Sequence, residues 1–290
     1  MFIFKLRPGE SGCIDLTPLN FETATNKEAP YYMLNNKGAY SYYAVCPACN
    51  NPVVIVGLYG KDRPFARHHT HSVPRLTEYD ADNFRCCPLA NPGLTFPIEL
   101  RLGVSDLSRE IIRILRDNFD VVIKIIAQEV GIKISANMAR KMLKQYLAAS
   151  GYRYIRATLL NVPWAFARLI PANSLYMQYL YMDGPLYAAI REKIPIASFS
   201  DEGQLQAIGN GDLSFYFTDH KVDAHNQESY VFVLAYRVER DAPSQIIFKN
   251  QIIFDFGKFQ RLISKDRKIT ESGQRLLSIA SEIIPVPEAI

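Results

Sequence analysis

Four of the chain's five cysteines and three of its five histidines lie between residues 46 and 87. They read Cys46-Pro-Ala-Cys49, His68-His69-Thr-His71 and Cys86-Cys87-Pro88. Thiolates and imidazoles are the donors a tetrahedral zinc ion takes. A CxxC turn sets two sulfurs on one side of an ion, and a His and a Cys from elsewhere close the other side. The segment therefore predicts a structural Zn2+ held by Cys46, Cys49, His68 and Cys87, with His69, His71 and Cys86 as alternative donors. Adjacent side chains diverge, so one histidine of the three is expected to ligate. The competing reading is buried free thiols beside surface histidines in a basic loop. A catalytic zinc would keep an open position and a nearby base, for which Glu78, Asp80 and Asp82 are the candidates. Neither HExxH nor HxE…PCxxC occurs, so the protease and deaminase patterns are missing.

The chain has 290 residues, 48% hydrophobic and 21% charged, enough apolar material for two domains or for one with an appendage. The start, MFIFKLRPGE, has no basic region, long apolar run or small-residue cleavage site. No run of eighteen apolar residues exists, so no membrane span is expected. Cysteines in a CxxC without an export signal favour metal over disulfides and a cytoplasmic setting.

The pattern predicts an α+β protein. Residues 1–100 form a zinc-stapled, β-rich region with strands at 2–6, 40–45 and 52–57, punctuated by Pro, Gly and Asn. Residues 101–195 form a helical, helix-turn-helix-like region. Ser105 caps its first helix, and Phe119–Val130 makes a second that Gly131 stops. A third helix runs from Ser135 to about Ala149, with Gly151 as its stop. Residues 152–159 alternate like a strand, and 172–193 read as helix broken at Gly184-Pro185. Residues 196–290 form a β-rich region, with strands at 213–218, 230–237 and 246–256 and a closing helix over 271–284.

Cys46-Pro-x-Cys49, Val53-Val-Ile-Val56, Gly57, Lys61-Asp-Arg63 and Pro64-Phe-Ala-Arg-His68 resemble the N-terminal zinc-binding segment of competence CoiA-like proteins. That family carries a CxxC followed by an HFxH sequence; here Pro64 stands at the first His. The resemblance spans Cys46–His68. It implies a similar zinc module and a bacterial regulatory, mobile-element or defence setting. The family's nuclease-like core has no counterpart here, so nuclease activity is not carried across.

Between Glu129 and Asp183 there is no acidic residue, while Lys133, Arg140, Lys141, Lys144, Arg153, Arg156 and Arg168 all fall there. Such a stretch is an electrostatic footprint for a polyanion. It coincides with the helix–turn–helix pattern, with Ala127 four residues before Gly131. Met138, Met142, Leu143, Tyr146 and Leu147 mark the buried face of the second helix of that pair. Asn137, Arg140, Lys141 and Lys144 mark its nucleic-acid-binding face, and Arg153 and Arg156 a following wing. The competing reading is an amphipathic helical hairpin with a merely solvated basic face.

Asp219, His220, Asp223 and His225 could gather a divalent metal, but they sit where a polar hairpin loop is expected. Trp164, the only tryptophan, follows Asn161-Val-Pro163 and is expected to pack a helix start. GxSxG, Walker A and GxGxxG patterns are absent. The sequence points to a zinc-containing nucleic-acid-binding protein with DNA as first partner, and with a protein partner or homo-oligomer also compatible. Its rivals are a metal-dependent nuclease or toxin-like enzyme and a zinc-stabilised interaction scaffold.

Overall fold

The computed structural model describes every residue except 11, 36–37, 91–97, 224–226, 240, 264–266 and 287–290. The architecture is α+β, and the paired strands run antiparallel. In the N-terminal region β1 (Ile3–Phe4) pairs with β2 (Ile14–Asp15). Helix α1 (Pro18–Thr25) follows. The Thr17 side chain accepts from the Asn20 N–H at its start, and Pro18 occupies a first-turn position whose missing N–H costs nothing. A four-stranded sheet then forms in the order β3 (Tyr32–Leu34), β4 (Tyr40–Val45), β5 (Pro52–Val56), β6 (Phe65–His68). Aromatic and β-branched residues dominate β4 and β5, which suits a pleated, half-buried surface. One face packs Ala44, Val53, Ile55 and Ala66 against Phe4, Leu16 and Phe21. A short helix, α2 (Ala81–Cys86), is capped by Asp80 and ends this region.

The next stretch holds α3 (Asp106–Asp117), α4 (Phe119–Val130), β7 (Ile132–Lys133) and α5 (Ala136–Ala148). A 3-10 turn at Gly151–Arg153 follows, then α6 (Val162–Leu169), β8 (Asn173–Ser174), β9 (Tyr179–Leu180) and α7 (Pro185–Lys193). Ser105 and Ser135 cap α3 and α5, each accepting from the N–H three residues on. Gly131 ends α4 at φ +80, a left-handed conformation that glycine adopts at little cost.

Beyond it lie β10 (Ser198–Phe199), β11 (Leu205–Ala207), β12 (Asp212–Val222), β13 (Glu228–Arg237), β14 (Gln245–Ile253), α8 (Phe256–Leu262) and α9 (Glu271–Ile283). The larger sheet has the order β14-β13-β12-β8. Its inner face shares one apolar core with helices α3–α7 and α9, running from Leu107 to Ile284, while the N-terminal region keeps its own. Trp164 on α6 is 1% exposed and stacks on Tyr230 at 6.1 Å, flanked by Phe217 and Phe254. Among the described residues, no helix is long and apolar enough to cross a membrane.

Two local expectations are corrected. Residues 152–159 do not form a strand. The chain leaves α5 through Ser150 at φ 50 and turns tightly at Gly151, where a Cβ would lie 2.2 Å from the Tyr146 ring. Gly151 therefore serves close approach to a ring, and Ser150 takes the left-handed position. Residues 172–184 are not helical either: β8 and β9 join neighbouring strands there, and helix begins only at Pro185.

Candidate metal centre

Strand β4 delivers Cys46 at its end, and the turn to β5 carries Cys49. The turn closes through Cys46 N–H to the Asn51 carbonyl at 2.8 Å and Asn50 N–H to the Cys46 carbonyl at 3.1 Å. Asn50 sits at φ 63, a conformation Asn tolerates better than most residues. His68 closes β6 opposite Val53 and faces inward with it. Cys87 caps the end of α2, its N–H on the Phe84 carbonyl. The four donor atoms lie within 4.8 Å of one another. The Cys46 and Cys87 sulfurs are 3.9 Å apart, and Cys49 Sγ is 3.4 Å from His68 Nε2. All five cysteines are free, and 3.9 Å is far beyond the roughly 2.05 Å of a disulfide. The three clustered thiols are buried and His68 is half-buried. This group could hold a metal.

Strand alternation settles which histidine takes part. His68 points to the metal side, whereas His69 lies on the other face against Tyr43 and His71, with ring centroids 5.4 Å away in each case. Phe84 meets the His68 ring edge-on at 5.5 Å. Cys86 lies outside the cluster.

Residues that sequence reasoning missed hold the turn in place. Asn51 donates from Nδ2 to Cys49 Sγ at 3.5 Å and accepts at Oδ1 from Asp80 N–H at 2.8 Å. Thr77 Oγ1 donates to the Asn50 carbonyl at 2.9 Å. The Asn50-Asn51 pair directly after the CxxC is the sequence signal for this support. Burial pushes the Cys49 and Cys87 thiols well above the ordinary range. At Cys46 burial acts in the same direction, but hydrogen bonding to Cys49 and Cys87 and the nearby His68 outweigh it and hold that thiol well below. Buried Lys5 lies in the field of Cys46 and Cys49 and bonds the Glu10 carbonyl.

No protein-family model, curated protein or solved structure matches this chain.

The residues expected to bind nucleic acid separate into two groups. Asn137, Lys141 and Lys144 are exposed on α5. Arg140, on the same helix, forms a two-pronged ion pair with Glu282 of α9 at 2.6 and 2.9 Å. The other two do not form a wing. Arg153 spends its guanidinium on the Arg101 and Leu102 carbonyls, while Arg101 reaches back to the carbonyls of Tyr154, Ile155 and Ala157. Arg156 is 1% exposed and reaches the Cys86 carbonyl, so its place among surface phosphate contacts is withdrawn. Arg168 likewise donates to the Phe217 carbonyl. Arginine forks here satisfy backbone acceptors that the single antiparallel bridge between Leu100 and Tyr154 leaves over. The link between α4 and α5 also departs from an open turn: β7 pairs there with β9, and α5 packs against α9.

The 219–225 segment forms no metal cluster among the described residues; His225 lies outside them. Residues 212–222 and 228–237 pair as a hairpin, and Asp223 accepts from the Gln227 N–H beside its turn. A bulge after Thr218 turns His220 inward. His220 Nε2 meets Glu228 Oε1 at 2.6 Å, and its Nδ1 meets Tyr154 OH at 3.1 Å. Tyr230 and Asn161 also donate to Glu228 Oε1. This enclosed network joins the larger sheet to residues 154–161.

Proposed function

We propose that the chain is a zinc-containing nucleic-acid-binding protein whose N-terminal region is stapled by a structural Cys3His zinc centre. The observation that carries the zinc reading is the pair of edges at 3.9 and 3.4 Å. A tetrahedron with Zn–S of about 2.3 Å and Zn–N of about 2.05 Å has edges of roughly 3.8 Å between sulfurs and 3.6 Å between sulfur and nitrogen. Four protein donors leave no open position for substrate, which favours a structural role. Three thiolates and one zinc ion carry net negative charge, and buried Lys5 lies in the field of Glu110 and of the Cys46 and Cys49 thiols. The CoiA-like resemblance covers three of the four ligands and supports the same module.

The nucleic-acid reading rests on Asn137, Lys141 and Lys144, exposed together on a helix inside the acid-free stretch. Glu282 tempers that field, since its carboxyl is held low by Arg140 and by the Lys144 charge. Mobility shifts at low salt with duplex DNA, single-stranded DNA and RNA test it. Retention that Lys141→Glu/Lys144→Glu abolishes is expected. No retention of any of the three leaves a zinc-stabilised interaction scaffold as the reading.

A further inference from the structure

We infer that the outward side of strand β6, at the edge of the N-terminal sheet, is a contact surface for single-stranded nucleic acid. The inference rests on the nucleic-acid reading above but places a contact far in sequence from α5. Period-two alternation puts Phe65 and Arg67 on the face opposite the metal, and His69 continues the row. Arg67 stands beside Val54, which pairs in turn with Tyr43 on β4. Phe65 is 40% exposed, unusual for a phenylalanine on a strand whose other face is core. Arg67 is exposed beside it, and Arg63 lies 4.1 Å over the Phe2 ring at the head of the strand.

Charge identifies the occupant. Around Phe65 the chain carries Lys61, Arg63 and Arg67 against the single carboxylate of Asp62. An apolar protein partner would not call for that imbalance, whereas a phosphate backbone does. Alternation of an aromatic face with guanidinium groups is the arrangement that lets bases stack while phosphates are neutralised. At the far end of the row, beside the packed rings of His69 and Tyr43, lies a cavity of about 120 Å³ whose lining includes Met33, Ser41, Ser72 and Val73. It offers aromatic ring surface and hydroxyl partners to an unstacked base. A duplex keeps its bases stacked inside and offers nothing to Phe65 or this cavity, so the surface selects single strands.

The test is fluorescence anisotropy of the full zinc-loaded chain with labelled (dT)20, (rU)20 and a 20-base-pair duplex, over a salt series. Phe65→Ala is expected to weaken (dT)20 or (rU)20 binding about tenfold, the size of one lost base–aromatic stack, and leave duplex binding unchanged. Arg67→Ala is expected to lower the single-strand salt slope by about 0.7. Which homopolymer responds more separates DNA from RNA. Unchanged zinc content in each variant shows that the module is intact. If single-strand binding survives both substitutions but is lost in Lys141→Glu/Lys144→Glu, the inference is overturned and the nucleic-acid reading stands. If the wild-type chain binds none of the three, both fall.

Discussion

At the scale of single residues, the Cys/His cluster takes in His68, the expected donor, and leaves out His69 and His71, the alternatives. His68→Ala should strip the metal, while His69→Ala and His71→Ala should retain it, as elemental analysis after desalting would read. Equal loss from all three would contradict a one-histidine site. The four donors themselves were legible because thiol and imidazole chemistry is strict and few other residues compete for it. Their support was not: Asn51 acts through a bond to Cys49 Sγ and another to Asp80, a partner twenty-nine residues away. Asn51→Ala should weaken zinc affinity roughly 10- to 100-fold, the usual effect of losing a ligand's own hydrogen-bond partner. Competition with a chromophoric chelator measures it. Arg153 and Arg156 show the converse limit. A charge count sees their sign, but only the folded chain shows that their partners are the carbonyls of residues 86, 101 and 102.

At the scale of elements, helices with strong caps and a clear period were readable almost to the residue. Ser105, Gly131 and Ser135 bound α3, α4 and α5 as their chemistry requires, and the last helix spans 271–283 against an expected 271–284. Short pieces whose conformation is imposed from outside were not readable. Residues 152–159 alternate in polarity, yet ring contact at Gly151 and the Arg101–Arg153 exchange hold them in turns. The same applies to β8 and β9, which exist because β12 and β7 accept them as partners. Two substitutions check this account. Ser135→Ala should cost about 1 kcal/mol through loss of the α5 cap. Gly151→Ala should cost more, because its Cβ meets the Tyr146 ring rather than open space. Urea midpoints for both variants report the order, and a larger loss from Ser135→Ala would count against the ring-contact explanation.

At the scale of the whole molecule, the two larger apolar cores meet across a mainly polar seam. Arg156 reaches the Cys86 carbonyl at the end of α2, Asn50 donates to Glu110 of α3 at 2.9 Å, and Leu160 enters the N-terminal core. On the other side the Glu228 network ties residues 154–161 to the larger sheet. Glu228→Ala should destabilise the protein by roughly 3–5 kcal/mol, since it strands His220, Asn161 and Tyr230 without their common acceptor. Zinc content should be unchanged, because the network belongs to the other core. Removing the metal should do the reverse. Hydrogen exchange after chelation should rise across residues 40–87 and remain protected in β13 and β14, whereas uniform loss of protection would show that the two cores unfold as one.

The central claim is that Cys46, Cys49, His68 and Cys87 hold one zinc ion in a closed site. X-ray absorption at the zinc edge, on protein whose metal content has been quantified, tests it directly. A closed Cys3His site gives one zinc per chain, three sulfur neighbours at about 2.3 Å and one nitrogen at about 2.0–2.1 Å, with no further oxygen. A chain purified without zinc, or a site with fewer than three sulfurs or an added oxygen, would contradict it.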